Sequence, residues 1–201
     1  MSTARTIAFF DFDGTVTTKD TMLVFFKYAK GDWAFRLYFL LLSPVLVLYK
    51  LKLLPGQTAK EITLRVMFRG TAREDFVRRG KAFCAEKIDP ILRPKAMERL
   101  NWHRGMGHEV WIVSASAQEW LRPWADANGI PLICTSLQYD AEDRLTGRID
   151  GLNCNGDEKV RRIREKIDLS AYDTVYAYGD TYGDRPMLAM ATHAEFKPFR
   201  S

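Results

Sequence analysis

Short apolar segments that lead into polar clusters recur along this chain and restrict its fold more than any other feature of the sequence. The segments cover residues 6–10, 109–113, 131–134 and 174–178, and helical patterns cover residues 95–104, 118–128, 158–167 and 185–191. Strands that alternate with helices at this spacing predict an α/β fold with an open parallel sheet. Ligands of such sheets bind at the carboxyl ends of the strands, so the polar clusters mark the expected site.

The chain between the first and second predicted strands is almost entirely helical in pattern. Helices are predicted over residues 22–28, 33–54, 58–68 and 72–88, with interruptions at Gly31, Pro44, Pro55 and Gly70. An all-helical block here indicates a cap inserted after the first strand. We therefore expect a sheet-forming core from residues 1–18 and 94–201, including a small hairpin over 137–150, and a helical cap from residues 19–93.

Composition restricts the class of protein further. The 201 residues are 47% hydrophobic and 27% charged, which excludes a disordered or collagen-like chain. The three cysteines are widely spaced and form no CxxC pair, and the three histidines form no HExxH pattern. These observations argue against a disulfide framework and a cysteine-bound zinc ion, and they fit a cytoplasmic protein.

The net charge of +5 is unevenly distributed. Residues 19–94 carry 15 basic and seven acidic side chains, whereas the rest of the chain carries 15 basic and 18 acidic ones. A basic segment within an acidic frame suggests contact with an anionic molecule, and the alternative is a set of solvated helix faces. No nucleic-acid-binding module is recognisable, so no nucleic acid partner is expected.

Residues 37–49 form the most apolar stretch, thirteen residues without a charge and with Pro44 near the middle. A helix that crosses a bilayer needs roughly 20 residues, so this stretch is too short to cross alone. One alternative is a cap helix packed on its neighbours. The other is a peripheral contact of residues 33–54 with an anionic membrane at its cytoplasmic face, which the flanking basic residues and nearby aromatic residues would suit.

Carboxylates follow two of the predicted strands. Two that lie close together repel each other unless a cation neutralises them, and an oxygen-rich set suits a hard divalent cation, Mg²⁺ above all. Lys159 and Ser114 add a positive charge and a hydroxyl, which together make a site for a phosphoryl group. The four carboxylates are Asp11, Asp13, Asp180 and Asp184.

These residues resemble the four signature motifs of the haloacid dehalogenase superfamily of aspartyl-phosphate phosphatases, in the family's order. Residues 11–16 match DxDGT[LV], Ser114 closes an apolar strand, Lys159 begins a helix, and residues 179–184 match GDxxxD. The resemblance implies a Rossmann-like core. The position of the cap is similar to that in the subgroup that contains the phosphoserine phosphatases and the bacterial phosphatidylglycerophosphatase C group.

The resemblance also implies a role for each motif residue. Asp11 would attack phosphorus and become an aspartyl phosphate, and Asp13 would act as general acid and then as general base. Ser114 and Lys159 would bind the phosphoryl oxygens of a small phosphorylated substrate. The implied Mg²⁺ ligands are the Asp11 carboxylate, the Asp13 main-chain oxygen and Asp180, with Asp184 nearby.

Two cap residues are candidates for substrate binding. In the phosphoserine phosphatases a glutamate nine residues after the nucleophile holds the substrate amine, and a cap arginine holds its carboxylate. Asp20 and Arg65 stand at comparable positions in this sequence. The alternatives are that Asp20 caps a helix and that Arg65 is a surface residue.

Three functions remain open from the sequence. The first is a Mg²⁺-dependent phosphatase that acts on a small phosphorylated metabolite, such as a phosphoserine-like compound. The second is a membrane-associated lipid-phosphate phosphatase, because residues 37–49 resemble the membrane-touching segment of the phosphatidylglycerophosphatase C group. The third is a phosphate-binding relic of the fold without activity. Dehalogenase chemistry is disfavoured because it has no alkoxide leaving group for Asp13 to protonate.

Overall fold

A five-stranded parallel sheet forms the centre of the computed structural model, which describes residues 5–200. The strands are ordered β3-β2-β1-β6-β7, so β1 lies in the middle, and β4 and β5 form a separate antiparallel hairpin. This arrangement confirms the predicted α/β fold. The strands are β1 (Thr6–Phe10), β2 (Glu109–Ala117), β3 (Leu132–Thr135), β4 (Leu137–Tyr139), β5 (Leu145–Ile149), β6 (Thr174–Gly179) and β7 (His193–Phe196).

Within residues 5–200, six α-helices lie between β1 and β2, the first five of which form the inserted helical segment, and three follow β2. They are α1 (Thr21–Lys30), α2 (Asp32–Leu41), α3 (Ser43–Lys50), α4 (Gly56–Phe68), α5 (Arg73–Phe83), α6 (Pro94–Gly105), α7 (Gln118–Ala127), α8 (Asp157–Lys166) and α9 (Arg185–Ala189).

The structure departs from the predicted elements at three places. The helix predicted over residues 33–54 is two helices that meet at Leu42, and Pro44 lies in the first turn of α3, where its missing N–H is not needed. The helix predicted over residues 72–88 ends as α5 at Phe83 and continues as a wider turn. Strand β7 was not predicted, because its four residues are largely exposed and lack an apolar pattern.

The inserted helices share a hydrophobic core with α7. Phe25 of α1 stacks on Trp120 of α7 with ring centroids 4.9 Å apart, and Phe76 and Phe83 of α5 meet Phe25 edge to face. All four side chains are fully buried. Burial of large aromatic side chains is strongly stabilising, so this cluster fixes the helical segment over one edge of the sheet.

Helices α2 and α3 are the exception to this packing. Neither contains a buried residue, and only Leu42 between them is buried. Trp33 is 85% exposed and Leu40 is 71% exposed, so most of this apolar surface faces outward. Within residues 5–200 no single helix has the length and apolar character to cross a membrane, whereas α2 and α3 together meet that criterion with a bend of 58° between them.

Candidate active site

The carboxyl ends of β1, β2 and β6 meet beneath the inserted helices and form the floor of a cavity of about 450 Å³. Strand β1 lies between the other two, so the residues that follow all three strands converge. The predicted polar clusters are therefore brought together, as expected for an open parallel sheet. The polar lining includes Asp11, Asp13, Asp20, Lys60, Ser116, Asn153, Lys159, Asp180 and Asp184.

Asp11 is buried at the end of β1 and pairs with Lys159 from the first turn of α8. The Lys159 Nζ donates to Asp11 Oδ1 (2.6 Å), to Asp184 Oδ1 (2.7 Å) and to the Val113 carbonyl (2.8 Å). Burial alone would lower the pKa of Lys159, but the two carboxylates outweigh it and raise that pKa. Burial raises the pKa of Asp11 to about 7, and the Lys159 ammonium acts against this rise. Lys159 is thus a fixed cation beside Asp11.

Asp13 is held by hydroxyl and amide donors from two elements. Its Oδ2 accepts hydrogen bonds from Ser116 Oγ (2.6 Å) and Ser114 Oγ (3.2 Å), and its Oδ1 accepts one from the Thr21 N–H (2.7 Å). Ser114 lies fully buried beneath this carboxylate, whereas Ser116 lines the cavity. Ser116 was not among the site residues predicted from the sequence, although side chains two residues apart on a strand share a face.

Three carboxylates surround a candidate cation site. One ligand oxygen from each of Asp11, Asp180 and Asp184 lies within 4.8 Å of the others, and all three residues are buried. Gly14 has a φ of +82°, and a Cβ there would lie 2.4 Å from Asp180 Oδ2, so a larger residue would collide with this cluster. Hard oxygen donors packed this closely fit Mg²⁺. Arg200 also contacts the Asp180 carboxylate.

The two cap residues predicted to bind substrate are not brought together. Asp20 lines the catalytic cavity, and its carboxylate also caps α1 by accepting a hydrogen bond from the Leu23 N–H (3.2 Å). Arg65 lies on a different face of α4, in a separate cavity of about 380 Å³ with Arg69 and Arg148. The structure therefore does not place Arg65 at the catalytic cavity.

Lys60, five residues before Arg65 and therefore on another face of α4, is the cation that this helix brings to the catalytic cavity. Its Nζ donates to the Ala115 carbonyl (2.5 Å) and to Asn153 Oδ1 (3.0 Å). Burial lowers the pKa of Lys60 to about 8, although the carboxylates of Asp13 and Asp20 act in the opposite direction. Lys60 was not among the site residues predicted from the sequence, because one lysine in a basic helical segment carries no distinguishing signal.

Sequence similarity to known proteins extends over nearly the whole chain. Protein CicA of Caulobacter vibrioides is 35% identical over 193 residues, which are 95% of this chain and 85% of CicA. The probable phosphatase Rv3661 of Mycobacterium tuberculosis is 29% identical over 205 residues, covering 95% of this chain and 68% of that protein.

Two solved structures share the fold. A protein of unknown function from Bordetella pertussis Tohama I has a TM-score of 0.81 and 26% identity, with 94% of this chain and 88% of that chain covered. A phosphoserine phosphatase with an analogue of its phospho-aspartyl intermediate has a TM-score of 0.62 and 19% identity, with 94% and 84% covered.

The family model of the haloacid dehalogenase-like hydrolases matches residues 8–189. This match spans the central strand with Asp11, the inserted helices and the turn that carries Asp180 and Asp184. It confirms the resemblance that the four motifs indicated. The chain therefore belongs to the haloacid dehalogenase-like hydrolase family.

Proposed function

We propose that this protein is a Mg²⁺-dependent phosphatase that hydrolyses a small phosphorylated metabolite through an aspartyl-phosphate intermediate. The observation that carries the proposal is the buried Asp11, which lies beside the Lys159 cation and the Asp180 and Asp184 carboxylates. The relative named as a probable phosphatase and the fold shared with phosphoserine phosphatase support the same reaction class.

The side chains divide the reaction into two displacements. The Asp11 carboxylate attacks phosphorus, the phosphorus–oxygen bond to the leaving group breaks, and Asp13 gives its proton to the departing alkoxide. Water then attacks phosphorus, Asp13 takes the proton, and the bond between phosphorus and Asp11 breaks. Ser116, Ser114 and Thr21 hold the Asp13 carboxylate in position for both proton transfers.

The buried carboxylates of Asp11, Asp180 and Asp184 would hold the metal ion. Bound Mg²⁺ supplies positive charge that offsets the repulsion between a phosphate and these carboxylates. Lys159, which contacts both Asp11 and Asp184, contributes positive charge to the same balance. The chain's own part is to orient the nucleophile in a buried site and, through Lys159, to oppose the protonation of Asp11 that burial favours.

Replacement of the nucleophile tests the proposal. We expect Asp11→Asn to lower kcat for p-nitrophenyl phosphate by at least about 1,000-fold, because an amide cannot form the acyl phosphate. Wild-type turnover should require added Mg²⁺ and stop with a chelator. Asp75→Asn, which removes a carboxylate whose contact is Arg78 on the surface of α5, serves as the matched control. Equal turnover by wild type and Asp11→Asn would rule the proposal out.

A second candidate, a phosphatase of membrane lipids, is favoured by the surface of α2 and α3. Leu46 and Tyr49 of α3 line the catalytic cavity, and the neighbouring Leu37, Leu40 and Val47 are more than half exposed. The apolar surface and the cavity therefore share a wall. An acyl chain could lie along α3 while its phosphate reaches Asp11, and the basic residues near both helix ends suit anionic headgroups.

Sedimentation with lipid vesicles distinguishes the two candidates. A lipid phosphatase should sediment with phosphatidylglycerol-containing vesicles and hydrolyse a long-chain lipid that ends in a phosphomonoester. Leu40→Asp should weaken vesicle binding, because it places a charge in the apolar surface. Leu152→Asp, at an exposed leucine outside α2 and α3, is the control. Absence of vesicle binding and of lipid turnover by the wild type would exclude this candidate.

A further inference from the structure

The catalytic cavity contains two buried lysines in different electrostatic surroundings. Lys159 is 1% exposed and forms ion pairs with Asp11 and Asp184. Lys60 is 9% exposed, and within residues 5–200 no carboxylate forms an ion pair with it. The charge of Lys159 is therefore neutralised by direct contact, whereas the charge of Lys60 is opposed only by the more distant carboxylates of Asp13 and Asp20.

The contacts of Lys60 hold its ammonium in place without neutralising it. Its two acceptors are the main-chain carbonyl of Ala115, which follows Ser114 in β2, and the side-chain oxygen of Asn153. The Thr135 hydroxyl oxygen lies 2.8 Å from the first of these oxygens and 3.0 Å from the second, and its one hydrogen is shared between them, which helps to hold both acceptors in place. A lysine ammonium has three N–H donors, and these contacts use two of them. One donor remains for the cavity.

A buried cation that no carboxylate contacts is unfavourable. Neutral oxygens satisfy its hydrogen bonds, but they do not restore the solvation free energy that the charge loses on leaving water. A neutral side chain could bridge α4 to the core at lower cost. The position of Lys60 is therefore better explained by an anion that enters the cavity than by a structural tie.

The place of Lys60 in the cavity indicates which anion this is. The phosphoryl group under attack has its own cation in Lys159, at the floor of the cavity. Lys60 comes from the inserted helices, and its Nζ contacts the carbonyl of Ala115, the residue that precedes Ser116. Ser116 donates to Asp13, the acid that serves the leaving group in the proposed reaction. Lys60 therefore lies on the side of the leaving group.

We propose that Lys60 binds a second anionic group, a carboxylate or a phosphate, on the leaving-group part of the substrate. The proposal rests on the proposed phosphatase function and narrows its substrate class. Substrates would be phosphomonoesters with a second negative charge a few bonds from the ester oxygen. Lys60 would determine which phosphomonoesters are preferred, and it would have the substrate-binding role that was predicted from the sequence for Arg65.

Pairs of substrates that differ in one charged group provide the first test. O-phosphoserine and O-phosphoethanolamine differ by a carboxylate, and propanediol bisphosphate and hydroxypropyl phosphate differ by a second phosphate. A charge-assisted hydrogen bond to Lys60 predicts that, in at least one pair, wild-type kcat/KM is at least about 10-fold higher for the substrate that carries the second anionic group. A ratio near one in both pairs overturns the proposal without any variant. Turnover of p-nitrophenyl phosphate shows independently whether the phosphatase function holds.

Variants in α4 provide the second test. Lys60→Met should reduce the ratio of kcat/KM between the two members of a pair to near one, chiefly by raising KM for the substrate with the second anionic group. Lys60→Arg should retain part of that ratio. Arg65→Met removes a cation from the same helix outside this cavity and should leave the ratio unchanged. Circular dichroism verifies that each variant is folded. A ratio that survives Lys60→Met, or that falls with Arg65→Met instead, contradicts the assignment to Lys60.

Discussion

Individual side chains at this site are governed by the balance between burial and nearby charge. Burial disfavours the ammonium form of both lysines, but carboxylates reverse the effect on the pKa of Lys159 and only reduce it for Lys60. Lys159 is consequently a permanent cation, suited to a position beside the nucleophile. Lys60 carries its charge at neutral pH at a cost in folding free energy.

The cost should be visible in the pH dependence of stability. The pKa of Lys60 falls from its ordinary value of 10.5 to about 8 in the folded protein. Between these pH values the unfolded chain binds a proton that the folded chain lacks, so this group adds stability as pH rises. We expect the free energy of unfolding of the wild type, relative to that of Lys60→Met, to rise by at most about 1.4 kcal/mol per pH unit from pH 8 to 10.

Urea denaturation of both proteins across this pH range measures the difference. Most other titrating groups are common to the two proteins and cancel in the comparison. A difference in unfolding free energy that stays flat or decreases as pH rises would show that Lys60 is not held as a destabilised cation.

Between elements, the contact of α5 with α7 shows how a helix interior can require glycine. A Cβ on Gly80 of α5 would lie 2.0 Å from the Glu119 carbonyl oxygen at the start of α7. Phe76 and Phe83, about one turn to either side, pack in the aromatic cluster around Trp120. The absent side chain lets the two helices approach closely enough to close that cluster.

Gly80→Ala should therefore destabilise the protein, although alanine favours helices by about 1 kcal/mol. Separating two packed helices costs about 1–3 kcal/mol or more, which exceeds that gain. Gly105→Ala at the end of α6, where a Cβ would meet nothing within 4 Å, is the control and should be neutral or slightly stabilising. Chemical denaturation of both variants measures the effect, and wild-type stability in Gly80→Ala would refute the packing argument.

Across the whole molecule, the catalytic cavity forms where the sheet meets the inserted helices. The sheet edge contributes the acidic cluster and Lys159, and α4 contributes Lys60. Helices α2 and α3 add an apolar wall that continues outward as an exposed surface. Sheet residues and helical residues thus face the same space, and in the proposed function the sheet supplies the reacting groups while the helices contact the rest of the substrate.

The fold class and the residues that meet at the candidate active site both follow from patterns in the sequence. Strands with β-branched and aromatic residues that end in polar clusters have one common arrangement in a parallel sheet, and that arrangement brings Asp11, Asp13, Asp180 and Lys159 together. These predictions depended on local patterns and on connectivity. Both are present in the order of the residues.

Tertiary structure alone decided which cap residues reach the cavity. The rotation of α4 about its axis sends Lys60 inward and Arg65 to another cavity, and basic residues at neighbouring positions give no periodic signal of that rotation. The exposure of α2 and α3 was equally undetermined, because an apolar helix has the same sequence whether neighbours cover it or not. Packing between distant segments resolves both questions, and a linear pattern does not encode it.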